Sequence, residues 1–114
     1  MTTPSFKTAS IRDTIAEMVR RIVVRFNPER VIVFGSHARG TAGPDSDADL
    51  LVVMHPNGSK RARAVEIYGL LAGMGVSKDV IVVTPEESDA YRDAPGTVIQ
   101  TARQEGTVLY DRAA

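Results

Sequence analysis

The chain predicts an α/β or α+β fold, a sheet with helices packed on it. Three observations carry this expectation. Apolar segments of helical period alternate with short continuous apolar runs along the 114 residues. Those runs, Val31 to Phe34, the one beginning near residue 47, and Val80 to Val83, read as buried strands. Turn signals such as Asn27-Pro28, Pro56-Asn57-Gly58 and Thr84-Pro85 separate the segments.

Taken in order, Ser10 is a plausible helix cap, with Asp13 three residues on in a capping-box arrangement. Ile11, Ile15, Met18, Val19, Ile22 and Phe26 recur at helical spacing, and Asn27-Pro28 ends that helix. Val31 to Phe34 is the first strand. The polar stretch from Gly35 to Gly43 has room for one helical turn after Ser36. Residues 47 to 54 form the second strand, stopped by Pro56-Asn57-Gly58. Ser59 caps a second long helix, with Ala64, Ile67, Tyr68, Leu71 and Met74 on its apolar side and Gly73 and Gly75 at its end. Asp79 precedes the third strand, Val80 to Val83, which Thr84-Pro85 stops. A final helix covers Thr97 to Glu105, with Gly106 as its C-cap, and Val108 to Tyr110 adds a short edge strand.

The length suits one domain, residues 1–114, with enough chain for one independent core. The net charge is zero, so a general polyanion-binding surface is not expected, and any recognition of phosphate must be local or carried by metal ions. The absence of cysteine excludes disulfides and thiolate metal sites. The amino-terminal Met-Thr-Thr-Pro-Ser-Phe-Lys lacks the apolar core of a signal peptide, and no apolar run is long enough to span a bilayer. A cytoplasmic setting follows as the expectation.

Residues 31 to 54 join two strand-like runs through a Gly-rich turn: Val-Ile-Val-Phe-Gly-Ser-His-Ala-Arg-Gly-Thr-Ala-Gly-Pro-Asp-Ser-Asp-Ala-Asp-Leu-Leu-Val-Val-Met. Alternate residues of a strand point to one face, so Asp47 and Asp49 project together beside the Gly35-Ser36 turn. Two hard oxygen ligands next to a phosphate-sized turn suggest a Mg²⁺ and nucleotide site. Gly35 lets the backbone approach a phosphate, Ser36 offers a hydroxyl and an amide at a helix start, and Arg39 supplies a fork of donors. Asp47 and Asp49 could bridge two Mg²⁺ ions. If the third strand lies beside the second, Asp79 completes a carboxylate triad, as a metal ligand and candidate general base.

Gly-Ser followed after ten residues by Asp-x-Asp, with a third acidic residue on a later strand, closely resembles the DNA polymerase β-like nucleotidyltransferase superfamily. His37 to Ser46 supply the ten residues. Gly-Ser-x-Ala-Arg-Gly together with Ser-Asp-x-Asp-Leu is similar to its minimal nucleotidyltransferase branch, and the resemblance extends to the ending Glu105-Gly106-Thr107-Val108-Leu109-Tyr110. It implies a small mixed sheet with packed helices, Mg²⁺ as cofactor and ATP as substrate. Many members of that branch are antitoxins paired with HEPN-domain ribonuclease toxins, which implies transfer of AMP to a toxin tyrosine. Two alternatives stay open: a non-catalytic antitoxin acting by occlusion, and a small-molecule nucleotidyltransferase of the antibiotic-modifying kind. A template-dependent polymerase is disfavoured, since neither net charge nor an added domain supplies a duplex groove, and direct nucleic-acid binding is not expected.

Each part alone has a plainer reading. Gly-Ser before a helical turn is commonly only a cap, and Asp favours turns at strand starts. The fixed spacing between two apolar strands, with Asp79, distinguishes this chain. His37 reads as an exposed loop residue, His55 as part of a turn, and Arg61 and Arg63 as the solvated side of a helix.

Overall fold

The computed structural model describes residues 10–43 and 45–114. The amino-terminal stretch read above for targeting signals lies outside the described residues, as does Pro44 in the spacer. Among the described residues, nine elements follow in order: α1 (Ile11–Phe26), β1 (Arg30–Phe34), α2 (Ser36–Arg39), β2 (Ala48–Val53), α3 (Lys60–Leu70), β3 (Lys78–Val83), α4 (Pro85–Ala90), α5 (Val98–Glu105) and β4 (Thr107–Asp111). The expected class holds: the four strands form one mixed sheet in the order β3-β2-β1-β4. β1 runs antiparallel to β2 and to β4, whereas β2 and β3 run parallel, with α3 as their crossover.

Alternation divides the strand residues between two apolar layers. Val31, Val33, Leu50, Val52, Val80 and Val82 face α1 and α3, packing on Met18, Val19, Ile22, Ile67, Leu71 and Met74. Ile32, Phe34, Leu51, Val53 and Val83 face the other way, toward Ile99 and Ala102 of α5. Burial on both faces explains why the strands read as unbroken apolar runs instead of alternating ones. Leu50 and Leu51 are neighbours in sequence, point to opposite layers and are both fully buried. Each contributes about 1.5–3 kcal/mol by leaving water.

Most helix ends follow the sequence signals. The Ser10 hydroxyl accepts the Asp13 amide at 3.0 Å. Asn27 closes α1 in the left-handed conformation, its N–H donating to the Val23 carbonyl. The Ser59 and Thr97 hydroxyls cap α3 and α5 in the same way. Gly106 caps α5 through an N–H to Ala102 but is extended, because the chain turns directly into β4.

β1 starts one residue earlier than expected, at Arg30, β4 is longer by a residue at each end, Thr107–Asp111, and other boundaries shift with more consequence. β2 starts at Ala48 and ends at Val53, so Asp47 stands just ahead of it, although Met54 is still buried. β3 starts at Lys78, which places Asp79 inside the strand rather than before it. α3 ends at Leu70, and Met74 reaches the core from the turn beyond, where Gly73 and Gly75 have positive φ. Thr84-Pro85 stops β3 as expected but also starts α4. Thr84 accepts the Glu87 amide while the Glu87 carboxylate accepts the Thr84 amide, and Pro85 stands at the start of the helix, where its missing N–H costs nothing.

Candidate active site

The site forms at the end of the sheet where β1 finishes and β2 and β3 begin. Register dictates its core: Phe34 pairs with Asp49, and Asp49 pairs with Asp79 across the parallel ladder. The Ala48 amide donates to the Ser77 carbonyl at 2.8 Å, aligning the starts of the two strands. Asp49 and Asp79 thus stand side by side on one face. Asp47, one alternation earlier, is exposed on the loop leading into β2.

Gly35 follows β1 with φ 73° and ψ −150°, a conformation open essentially to glycine alone. A Cβ at this position would land on the Asp49 carboxylate oxygen Oδ2. The glycine therefore serves both backbone conformation and close approach, and the approach is to the site's own carboxylate. Ser36 opens α2, whose first bonds are the Ala38 and Arg39 amides donating to the Gly35 carbonyl at 3.1 Å. The Ser36 and His37 amides come ahead of that first bond, where a helical turn has unclaimed donors. Arg39, exposed, ends the turn.

Asp49 is the electrostatic centre. Burial pushes its carboxyl above the ordinary carboxylate range, and the like charges of Asp79 and Asp47 push the same way; the nearby His37 and Arg39 act against them. Asp47, Asp79 and Arg39 are thus all within electrostatic reach of Asp49. Among the described residues, no group of three His, Cys, Asp or Glu could hold a metal ion as it stands. The donor chemistry nevertheless suits Mg²⁺: hard carboxylate oxygens around one half-buried member whose charge lacks full compensation. Repulsion between like charges opposes a tighter cluster until a cation offsets it.

Two residues enter the site that the sequence reading placed elsewhere. The His37 ring, read as an exposed loop residue, is half-buried, with Nε2 3.2 Å from the Ser46 carbonyl, tying α2 to the residue before Asp47. Nothing in the local sequence signals this link across the spacer. Tyr68, read only as part of an apolar helix side, donates its hydroxyl to Asp79 Oδ1 at 3.0 Å. A tyrosine among aliphatic residues on a helix side is the signal that was available, since its tip needs a polar partner.

A groove of about 600 Å³ runs between α1 and β4, lined by Ile11, Ile15, Val19, Val33, His37 and Leu109 among others. Its walls are mainly apolar and include none of the three carboxylates, so it is separate from the predicted metal and phosphate ligands.

The pattern of the nucleotidyltransferase domain matches residues 14–106, and the chain belongs to that family. Solved structures share the fold. A protein from Sulfolobus solfataricus described as a nucleotidyltransferase is 23% identical with a TM-score of 0.65, over 98% of this chain and 92% of its own. A structure described as a minimal nucleotidyltransferase is 28% identical with a TM-score of 0.53, over 94% of this chain and 98% of its own. A toxin–antitoxin structure with AMP-PNP is 19% identical with a TM-score of 0.54, over 90% of this chain and 74% of that one. No curated protein matches. Among the described residues, no helix is long and apolar enough to cross a membrane.

Proposed function

We propose that residues 1–114 form a single minimal nucleotidyltransferase domain, an antitoxin of the cytoplasm that moves AMP from ATP to a tyrosine hydroxyl of a HEPN ribonuclease toxin. The observation that carries the transferase chemistry is the packing of Gly35 against Asp49 with Asp79 in register beside it. The family match supports the reaction class, and the likeness to one member of a toxin–antitoxin structure supports the kind of partner.

In this reading Asp47, Asp49 and Asp79 would hold Mg²⁺. Bound there, the metal supplies Lewis-acid stabilisation of the triphosphate and lowers the pKa of the acceptor hydroxyl. Gly35 brings the backbone close to the phosphates, the Ser36 hydroxyl and the opening amides of α2 donate hydrogen bonds to phosphate oxygens, and Arg39 clamps phosphate oxygens as a fork. Asp79 takes the acceptor proton onto a carboxylate oxygen as the hydroxyl oxygen bonds to the α-phosphorus and pyrophosphate leaves. Holding the acceptor in line with the departing pyrophosphate is the partner's task, since the predicted residues account for the nucleotide side alone.

Mixing this chain with a HEPN partner, ATP and Mg²⁺ should add an AMP-sized mass to the partner and silence its nuclease activity. Mass spectrometry of the partner decides the matter. A partner that is silenced yet unmodified would establish neutralisation by occlusion and remove the catalytic role.

A further inference from the structure

Tyr68 makes two hydrogen bonds with one oxygen. The Val80 amide donates to the Tyr68 hydroxyl at 2.8 Å, and the hydroxyl donates to Asp79 Oδ1 at 3.0 Å. A hydroxyl has a single proton. With its oxygen accepting from Val80, that proton is directed at the carboxylate. Tyr68 stands on the last turn of α3, and β3 is an edge strand, so the aromatic side chain wraps the open edge of the sheet to reach Asp79. The same corner is braced again by Lys78, whose ammonium donates to the Leu71 carbonyl at 2.9 Å.

We propose that Tyr68 is the positioning residue of the third carboxylate. It occupies Oδ1, fixes the rotamer of Asp79 and leaves Oδ2 as the oxygen offered to a cation or to an acceptor proton. The inference rests on the metal-binding reading above and deepens it: of the three carboxylates, Asp79 is oriented by a neutral hydroxyl donor, so its negative charge stays available for a divalent ion.

The test uses Mn²⁺ alone as probe, without nucleotide or partner, and follows binding by electron paramagnetic resonance. Tyr68→Phe keeps the ring and should weaken Mn²⁺ binding about tenfold, the size expected for a residue that orients a metal ligand. In an Asp79→Asn background the same change should have no effect, which general loosening of the fold would not reproduce. In the metal-free chain, the Asp79 carboxyl carbon resonance should move on Tyr68→Phe while those of Asp47 and Asp49 stay. Unchanged Mn²⁺ affinity in Tyr68→Phe overturns the proposal and leaves the metal site standing. If the native chain binds no Mn²⁺, the metal reading fails, and the carbon resonance alone then decides: a shift confined to Asp79 supports the orienting role, and no shift ends it.

Discussion

Gly35 and the Asp49 carboxylate approach so closely that no side chain fits between them unless Asp49 shifts. Gly35→Ala would push a methyl group into the Asp49 carboxylate and force alanine into a glycine-only conformation. We expect a loss of about 1–3 kcal/mol of stability in urea unfolding, together with loss of transfer. Asp49 works against folding in the metal-free chain. Its folded carboxyl titrates above the ordinary range, so the stability present while it is protonated is lost as pH rises through that raised value. Asp49→Asn should therefore melt higher than the native chain at neutral pH, with the advantage shrinking as pH falls into the carboxylate range, and Mg²⁺ should raise only the native melting temperature. Thermal melts across pH with and without Mg²⁺ check this. The same variant, and Asp47→Ala, should abolish transfer. Asp79→Asn should bind ATP better than either yet turn over about 10²–10⁴-fold more slowly, as loss of a general base does.

At the level of elements, the sheet depends on how α5 hands over to β4. Gly106 has an ordinary extended conformation, so its requirement is space: a Cβ there would meet the Ala102 carbonyl, the Ile32 side chain and the Val33 carbonyl. Two of those three are backbone atoms, which cannot swing aside. Gly106→Ala should cost about 1–3 kcal/mol by prising β4 from β1. Faster amide exchange of β4, with β2 and β3 unaffected, would show the effect is local. Thr84-Pro85 both stops β3 and starts α4, and only the first of these roles is legible from the Thr-Pro pair itself. The α4 capping box, with Glu87 also bound by Lys60 at 2.8 Å, makes a short helix from a segment with little apolar periodicity.

For the molecule as a whole, zero net charge leaves the triphosphate no general attraction. The predicted ligand set presents three carboxylates and one arginine, so ATP alone meets more negative than positive charge. Calorimetric titration with ATP should accordingly give a much weaker signal in chelator than in Mg²⁺. Equal affinity in both would remove the metal from the proposed mechanism.

Sequence by itself determined where the strands lie and most helix ends, and it made Asp47 and Asp49 candidates by their alternate spacing. These are local matters: apolar runs, caps within three residues, and a period of two are all written in neighbouring positions. It also anticipated Asp79 as a third carboxylate, but conditionally, because strand order is not a local property. Only the tertiary structure decided that β3 lies parallel beside β2, bringing Asp79 opposite Asp49. It alone decided that Gly35 touches Asp49, that His37 reaches Ser46 across the spacer, and that Tyr68 turns around the sheet edge to Asp79. Each of these depends on where two elements dock, and docking is chosen by burial of both sheet faces, a sum over the whole chain that no short stretch of residues encodes.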